Sequence, residues 1–284
     1  MKKILTKTQT YNILKALEHQ PKKKWGQNFL IEKKVVEKAL KMAEIKADDR
    51  IVEVGPGLGT LTGALLEHGA HVYGVERDAA LVNYLKDVLG EEYGKRLNLM
   101  EGDAVEHPLG ELPQSTAARG YKILANLPYA ITSPWLEKVL EGSLPTRMVL
   151  WMQKEAGDRL MASPGSKAFG AIALFLQSAF EVTAKHKVSR HCFYPEPKVD
   201  SWLLAFKKKK RVFIFKKETK ALIRQFFTQR RKQIQSLCRE REDAGLNTWL
   251  EYLKSRNMAL TVRPEAIPLE AWQELDAFLI PNLG

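Results

Sequence analysis

From Arg50 to Phe206, short apolar runs alternate with helical patterns, and this rhythm restricts the chain more than any other feature. Ile51–Val54 reads as a strand and Leu61–His68 as a helix; His71–Val75 is the next strand and Ala79–Leu89 the next helix. Leu97–Met100, Tyr121–Ala125 and Arg147–Met152 supply three more strands, followed by a helix over Phe169–Phe180. Repeated strand–helix alternation packs as a parallel sheet, so the expected class is α/β, a Rossmann-like sheet with helices on both faces. Glu181–Val188 and Val199–Phe206 read as a hairpin-like pair that closes it.

The flanks read differently. Residues 1–20 suit a short amphipathic helix with Ile4, Tyr11, Ile13, Leu14 and Leu17 as its apolar positions, ended by Pro21. A helix over 31–42 follows. Lys207–Arg211 is a basic run with the character of a linker, and Lys216–Gly284 is helical in pattern and rich in Arg and Lys. The expected division is a domain over 1–210 and a small C-terminal helical domain over 211–284.

The 284 residues carry 45 Lys+Arg against 33 Asp+Glu, a net charge of +12. That balance favours a polyanionic partner, nucleic acid before an anionic membrane. Cys192 and Cys238 are the two cysteines. They make neither a metal-ligand cluster nor a disulfide framework, which fits a reducing cytoplasm. Met1–Leu5 begins like a secretory leader, but Thr6–Thr10 breaks it before an apolar core can follow. Ala168–Phe180 is too short and too interrupted to span a bilayer.

Glu53-Val54-Gly55-Pro56-Gly57-Leu58-Gly59 joins the first strand to its helix. Glycines at Gly55 and Gly57 let backbone approach a ligand closely. The spacing is G-x-G-x-G rather than the dinucleotide G-x-G-x-x-G, and no Lys follows as in a phosphate-binding loop. Glu76 ends the second strand, 17 residues past Gly59, where a carboxylate can grip two ribose hydroxyls. Asp103 follows the third strand, where it can accept from an adenine amine. One such acid is usually a helix cap, but two in succession behind a glycine turn point to a nucleoside with a compact second arm. S-adenosylmethionine fits that description, and no metal is implied.

Asn126-Leu127-Pro128-Tyr129 closes the fourth strand and precedes a helical run over Pro134–Leu140. Ligands sit at that edge of an open α/β sheet. The turn suits an exocyclic amine on a nucleobase: the Asn126 oxygen accepts one N–H, a carbonyl at Leu127 or Pro128 accepts the other, and Tyr129 stacks on the ring. A plain proline turn with a capping Asn would look the same in isolation.

Five blocks in order resemble the ribosomal-RNA adenine N6-dimethyltransferase family: Lys23–Leu30, Glu53–Gly59, Glu101–Ala104, Asn126–Tyr129 and Phe193–Ser201. Phe226–Lys232 resembles the start of that family's C-terminal domain. The resemblance covers nearly the whole chain and implies a class I methyltransferase that dimethylates adenosines near the 3′ end of small-subunit rRNA, acting on an immature 30S-type subunit as a cytoplasmic monomer. It implies that Gln27, Asn28 and Leu30 line the cofactor, that Glu76 takes the ribose and Asp103 the adenine, and that Asn126 faces the transferring methyl. Tyr129 and Phe193 would sandwich the target base. Ala130 and Trp135 depart from the residues usual beside the turn. Large-subunit rRNA dimethylation, a non-catalytic assembly factor and DNA adenine methylation are the competing readings; Leu-Pro-Tyr in place of Pro-Pro-Tyr speaks against the last. Arg224, Arg230, Arg231 and Lys232 are expected on one helical stretch as an RNA-docking face, with Leu222, Ile223, Phe226, Phe227, Ile234 and Leu237 buried behind it.

Overall fold

The computed structural model describes residues 4–241 and 243–279, with the backbone but not the side chain of Tyr129. Its strands in chain order are β1 (Phe29–Leu30), β2 (Arg50–Val54), β3 (His71–Glu76), β4 (Leu97–Glu101), β5 (Lys122–Asn126), β6 (Arg147–Gln153), β7 (Phe180–Val188), β8 (Phe193–Tyr194) and β9 (Ser201–Lys208). The helices are α1 (Lys7–Ala16), α2 (Lys33–Ala43), α3 (Thr60–Glu67), α4 (Ala79–Tyr93), α5 (Gln114–Ala118), α6 (Tyr129–Val139), α7 (Lys154–Leu160), α8 (Ala171–Ala179), α9 (Lys217–Thr228), α10 (Ile234–Arg239), α11 (Ala244–Ser255) and α12 (Leu269–Phe278).

Seven strands form one sheet in the order β4-β3-β2-β5-β6-β9-β7. Strands β2 to β6 pair in parallel and β9 runs antiparallel to β6. The order reverses between β2 and β5: β3 and β4 build outward on one side, β6 on the other. That is the switch point where open α/β sheets hold ligands. The registers bring the strand ends together there, with Val54 beside Val75 and Ala125, Glu76 beside Glu101, and Asn126 beside Trp151. Ile51, Val52, Ile123, Leu124 and Ala125 are fully buried, which is why these strands read as continuous apolar runs. One core joins α2 and α3 to the sheet through Val36, Ala39, Leu65, Ile51, Leu124, Val149 and Leu203. A smaller one gathers Leu14 of α1 with Phe29, Leu58 and Leu81.

The chain divides into two compact units. The first runs to Gly157 and resumes over Glu181–Lys208; the second comprises Asp158–Phe180 and the described chain from Lys209 onward. The boundary after β9 lies near the expected one, but Asp158–Phe180 groups with the C-terminal helices. Helix α8 is apolar nearly all round, with Ala173, Leu174, Phe175, Leu176, Ser178 and Ala179 buried. It packs against α9 and α12. A crossover helix and a helix buried in a bundle share that apolar pattern.

Three local features depart from the sequence reading. Helix α1 begins only after Thr6, whose side chain accepts from Gln9 N while the Gln9 side chain accepts from Thr6 N, a capping box. Helix α6 starts at Tyr129, not at Pro134, which lies inside it. The ring removes one backbone hydrogen bond, but Trp135 and Leu136 beside it are fully buried and hold the helix. Last, α9 ends at Thr228, so Arg224 is not on one helix with Arg230, Arg231 and Lys232. Arg230 donates to the carbonyls of Lys167 (2.7 Å) and Phe169 (3.0 Å), Lys232 pairs with Glu240, and Arg224 lies over the Phe175 ring. Ile223, Phe226, Phe227, Ile234 and Leu237 are buried as expected, and Leu222 is half-buried.

Candidate active site

An open cleft of about 880 Å³ lies at the C-terminal ends of β2, β3 and β5 and is walled in front by the consecutive residues Lys24 to Phe29. Its floor is the glycine turn. Gly57 has φ +60°, and a Cβ there would come within 3.0 Å of the Phe29 ring, so only glycine lets the turn and the front wall meet. The Gly57 N–H donates to Glu76 Oε2 at 3.0 Å, and Asp78 N–H donates to Glu76 Oε1 at 3.0 Å. Burial pushes the Glu76 carboxyl upward, against the pull of these two bonds and of one from the Arg77 backbone. Glu76 lines the cleft. Asp103 lines it too, its Oδ1 held by Val105 N (2.8 Å) and its Oδ2 by Arg77 (3.2 Å). Two acceptors at adjacent strand ends beside a backbone-lined hollow fit an adenosine.

Glu53 sits beneath the turn, 2% exposed. It accepts from Thr62 Oγ1 at 2.7 Å. Burial pushes its carboxyl up to about 8, so it is protonated at neutral pH.

Asn126 stands where β5 ends. Its Nδ2 donates to the Asn28 carbonyl at 3.0 Å. That bond orients the amide, and no described group donates to its Oδ1, which is open to a ligand. Leu127 N donates to Trp151 O, which fixes the turn to β6. The Pro128 carbonyl accepts from Ile131 N and Thr132 Oγ1 in the first turn of α6, whereas no described group donates to the Leu127 carbonyl. Of the two carbonyls considered from sequence, Leu127 is the one with capacity to spare.

Leu30 and Phe193 face each other in the β1–β8 ribbon. Both belong to the main core and both line a deeper recess of about 450 Å³ with Asn126 and Trp151. Phe193 is only 4% exposed, so it is a core aromatic with an edge on the recess rather than a free ring. The Tyr129 side chain lies outside the described residues. Ala130 is exposed at the cleft rim. Trp135 points away from the turn and donates to Pro108 O at 3.3 Å.

Gln27 and Asn28 line the cleft from the front wall, and both are also bonded within the protein. Asn28 contributes its backbone carbonyl to Asn126, while its side chain bonds Gly26 O. Gln27 is tied to the protein through both ends of its amide: Nε2 donates to Asp78 Oδ2 (3.0 Å), and Oε1 accepts from Lys22 N (2.7 Å) and meets His19 Nε2 (3.2 Å). One Nε2 hydrogen remains unused by these bonds, and Gln27 lines the cleft. Trp25, Phe29, Arg77 and Trp151 are site residues that sequence reasoning missed. The aromatic–glycine junction Trp25-Gly26 was the available signal for the first.

Among the described residues no group of His, Cys, Asp and Glu is placed to hold a metal, and no helix is long and apolar enough to cross a membrane.

A family model described as "Ribosomal RNA adenine dimethylase" matches residues 18–262. The "Ribosomal RNA small subunit methyltransferase A" of Opitutus terrae is 51% identical over 271 residues, 95% of this chain and 98% of that one. A dimethyladenosine transferase from Plasmodium falciparum matches in structure with a TM-score of 0.73 at 25% identity, over 87% of this chain and 95% of that one. The 23S rRNA methyltransferase ErmE matches with a TM-score of 0.65 at 22% identity, over 89% and 99%, and shares the fold.

Proposed function

Because the chain belongs to the ribosomal RNA adenine dimethylase family, we propose that it places two methyl groups on N6 of adenosines near the 3′ end of small-subunit rRNA, acting as a cytoplasmic monomer on a maturing 30S-type subunit. It is a methyltransferase and S-adenosylmethionine is its methyl donor. The donor, when bound, supplies an electrophilic sulfonium methyl. Glu76 would hold its ribose and Asp103 its adenine amine, with Gly55 and Gly57 giving the close backbone.

The observation that carries this reading is the committed amide of Asn126. An adenine N6 lone pair is delocalised into the ring and attacks poorly. Asn126 Oδ1 and the Leu127 carbonyl accept its two N–H bonds and favour a tetrahedral nitrogen, whose lone pair then faces the cleft. This is orientation plus stabilisation of the positive charge that develops on nitrogen, with no strong base needed. The methyl would leave the sulfonium as a neutral thioether and the alkylated N6 would give one proton to water, so a single N–H remains, and the open rim at Ala130 leaves room for the methyl already present. Tyr129 would stack on the base and hold it out of its RNA context, at ~1–3 kcal/mol per stacked base, with the edge of Phe193 lining the recess beside it. The basic helical unit would bind rRNA phosphates without reading sequence.

The test is incubation with labelled donor and unmethylated small subunits, then nucleoside analysis and primer extension. Dimethyladenosine near the 3′ end of the small-subunit rRNA is the expected product. Label in large-subunit rRNA alone would overturn the assignment.

A further inference from the structure

We propose that Asp78 is a positioning residue for methyl transfer, latching the front wall of the cleft so that the donor carboxylate and the amine acceptor are set by one connected network. The inference rests on the roles of Glu76 and Asn126 given above and adds a residue that touches neither donor nor substrate.

Asp78 is 3% exposed and directly follows the β3 end that carries Glu76. Its Oδ1 caps α4 by accepting from Ala80 N. Its Oδ2 takes Lys22 Nζ at 2.9 Å and Gln27 Nε2 at 3.0 Å, with His19 Nε2 at 3.6 Å. All three of those donors lie in the segment that leads into the front wall. Gln27 closes the loop on itself through Lys22 N. Lys22 Nζ also sits 4.1 Å from the centre of the Trp25 ring. Burial alone would raise the Asp78 carboxyl, but Lys22, Gln27 and His19 outweigh it and hold it below the usual carboxylate range, so the latch is charged.

The network continues in both directions. On the donor side, Asp78 N–H fixes Glu76 Oε1. On the acceptor side, Gln27 is followed by Asn28, whose carbonyl takes the Asn126 amide. Gly26, at φ +62°, brings the wall against Pro128, where a Cβ would lie 3.0 Å from the proline Cβ. Releasing Gln27 from Asp78 therefore loosens the wall beside the donor and, one residue on, the carbonyl that orients Asn126. A wall with a merely structural role would change stability alone.

Asp78→Asn is the sharp variant. Its oxygen can keep capping Ala80 while its NH2 faces the Gln27 and Lys22 donors, where it cannot accept. Gln27→Ala opens the same latch from the other side and leaves the cap untouched, so the test stands if either variant folds poorly. Three quantities are read: hydrogen exchange of residues 19–28 without cofactor, calorimetric affinity for S-adenosylmethionine, and the single-turnover rate with cofactor and small subunits saturating. Both variants should exchange faster over 19–28 and bind the donor about tenfold more weakly, the loss of one charge-assisted bond. The saturated rate should fall about ten- to a hundredfold from misplacement of Asn126. Faster exchange with unchanged affinity and rate, or no change in any of the three, overturns the latch. A wild-type protein that binds no donor overturns the reading of the site itself and the latch with it.

Discussion

At the scale of single residues, the site rests on how three polar side chains are spent. Asn126 gives its Nδ2 to Asn28 and keeps its oxygen for a ligand. Asn126→Ala should leave a folded protein with no measurable transfer. Asn126→Asp should fare little better, because a second oxygen would face the Asn28 carbonyl. Near wild-type single-turnover rates in either would reduce the tetrapeptide to a turn. Glu53 makes the opposite use of its carboxyl, buried and bonded to Thr62 and titrating at about 8 against an ordinary 4.5. Between those values the unfolded chain releases the proton while the fold retains it. Stability therefore falls as pH rises through that window, by at most about 1.4 kcal/mol per unit, and levels off above it. Glu53→Gln keeps the acceptor for Thr62 but cannot ionise, so its unfolding midpoint should drop less than wild type's between pH 6 and pH 8; equal drops would place the titration elsewhere. That Glu76, Asp103 and the glycines would meet along one cleft was legible because acids and glycines at strand ends are local signals. The commitment of Gln27 to Asp78 was not, since the partners are 51 residues apart and nothing in either neighbourhood announces the other.

Elements follow from sequence where their period is long enough to show. The parallel strands were legible because burial on both faces makes each an apolar run, and β7 and β9 do lie side by side at the sheet edge. The β1–β8 ribbon was not: two residues per strand carry no alternation, yet this pairing sets Leu30 against Phe193. The start of α6 was hidden because prolines usually open helices, and here Pro128 does so while Pro134 lies inside. The front wall and the α6 turn meet at Gly26, and this junction can be tested alone. Gly26→Ala adds a left-handed strain and a methyl against the Pro128 ring. It should cost about 1–3 kcal/mol in denaturant unfolding and lower the transfer rate, since the wall must move off the turn. An unchanged rate with the stability loss present would show that the turn is set by β6 through Leu127 instead.

For the whole molecule, the +12 charge pointed to a polyanionic partner, and family membership agrees with it. What the sequence hid was which cations are free to serve. Arg230 and Arg231 are neighbours of equal formal charge, but Arg230 is spent inside the helical unit, donating to Lys167 and Phe169 carbonyls and lying 3.8 Å from Glu265. Arg231 is exposed. Reversing both together would confuse folding with docking, so they are separated. Arg230→Ala should lower the unfolding midpoint of the protein, the loss of a charged donor to two carbonyls being worth about 1–3 kcal/mol. Arg231→Glu should leave that midpoint unchanged. It should also leave donor affinity unchanged, because every residue assigned to the donor lies in the sheet-containing unit. If the helical unit holds rRNA phosphates, Arg231→Glu weakens small-subunit binding and flattens its dependence on log salt by about one unit for each phosphate no longer neutralised. Binding that keeps both its strength and its salt slope would move the docking surface off this turn, to the exposed lysines of the 207–211 run.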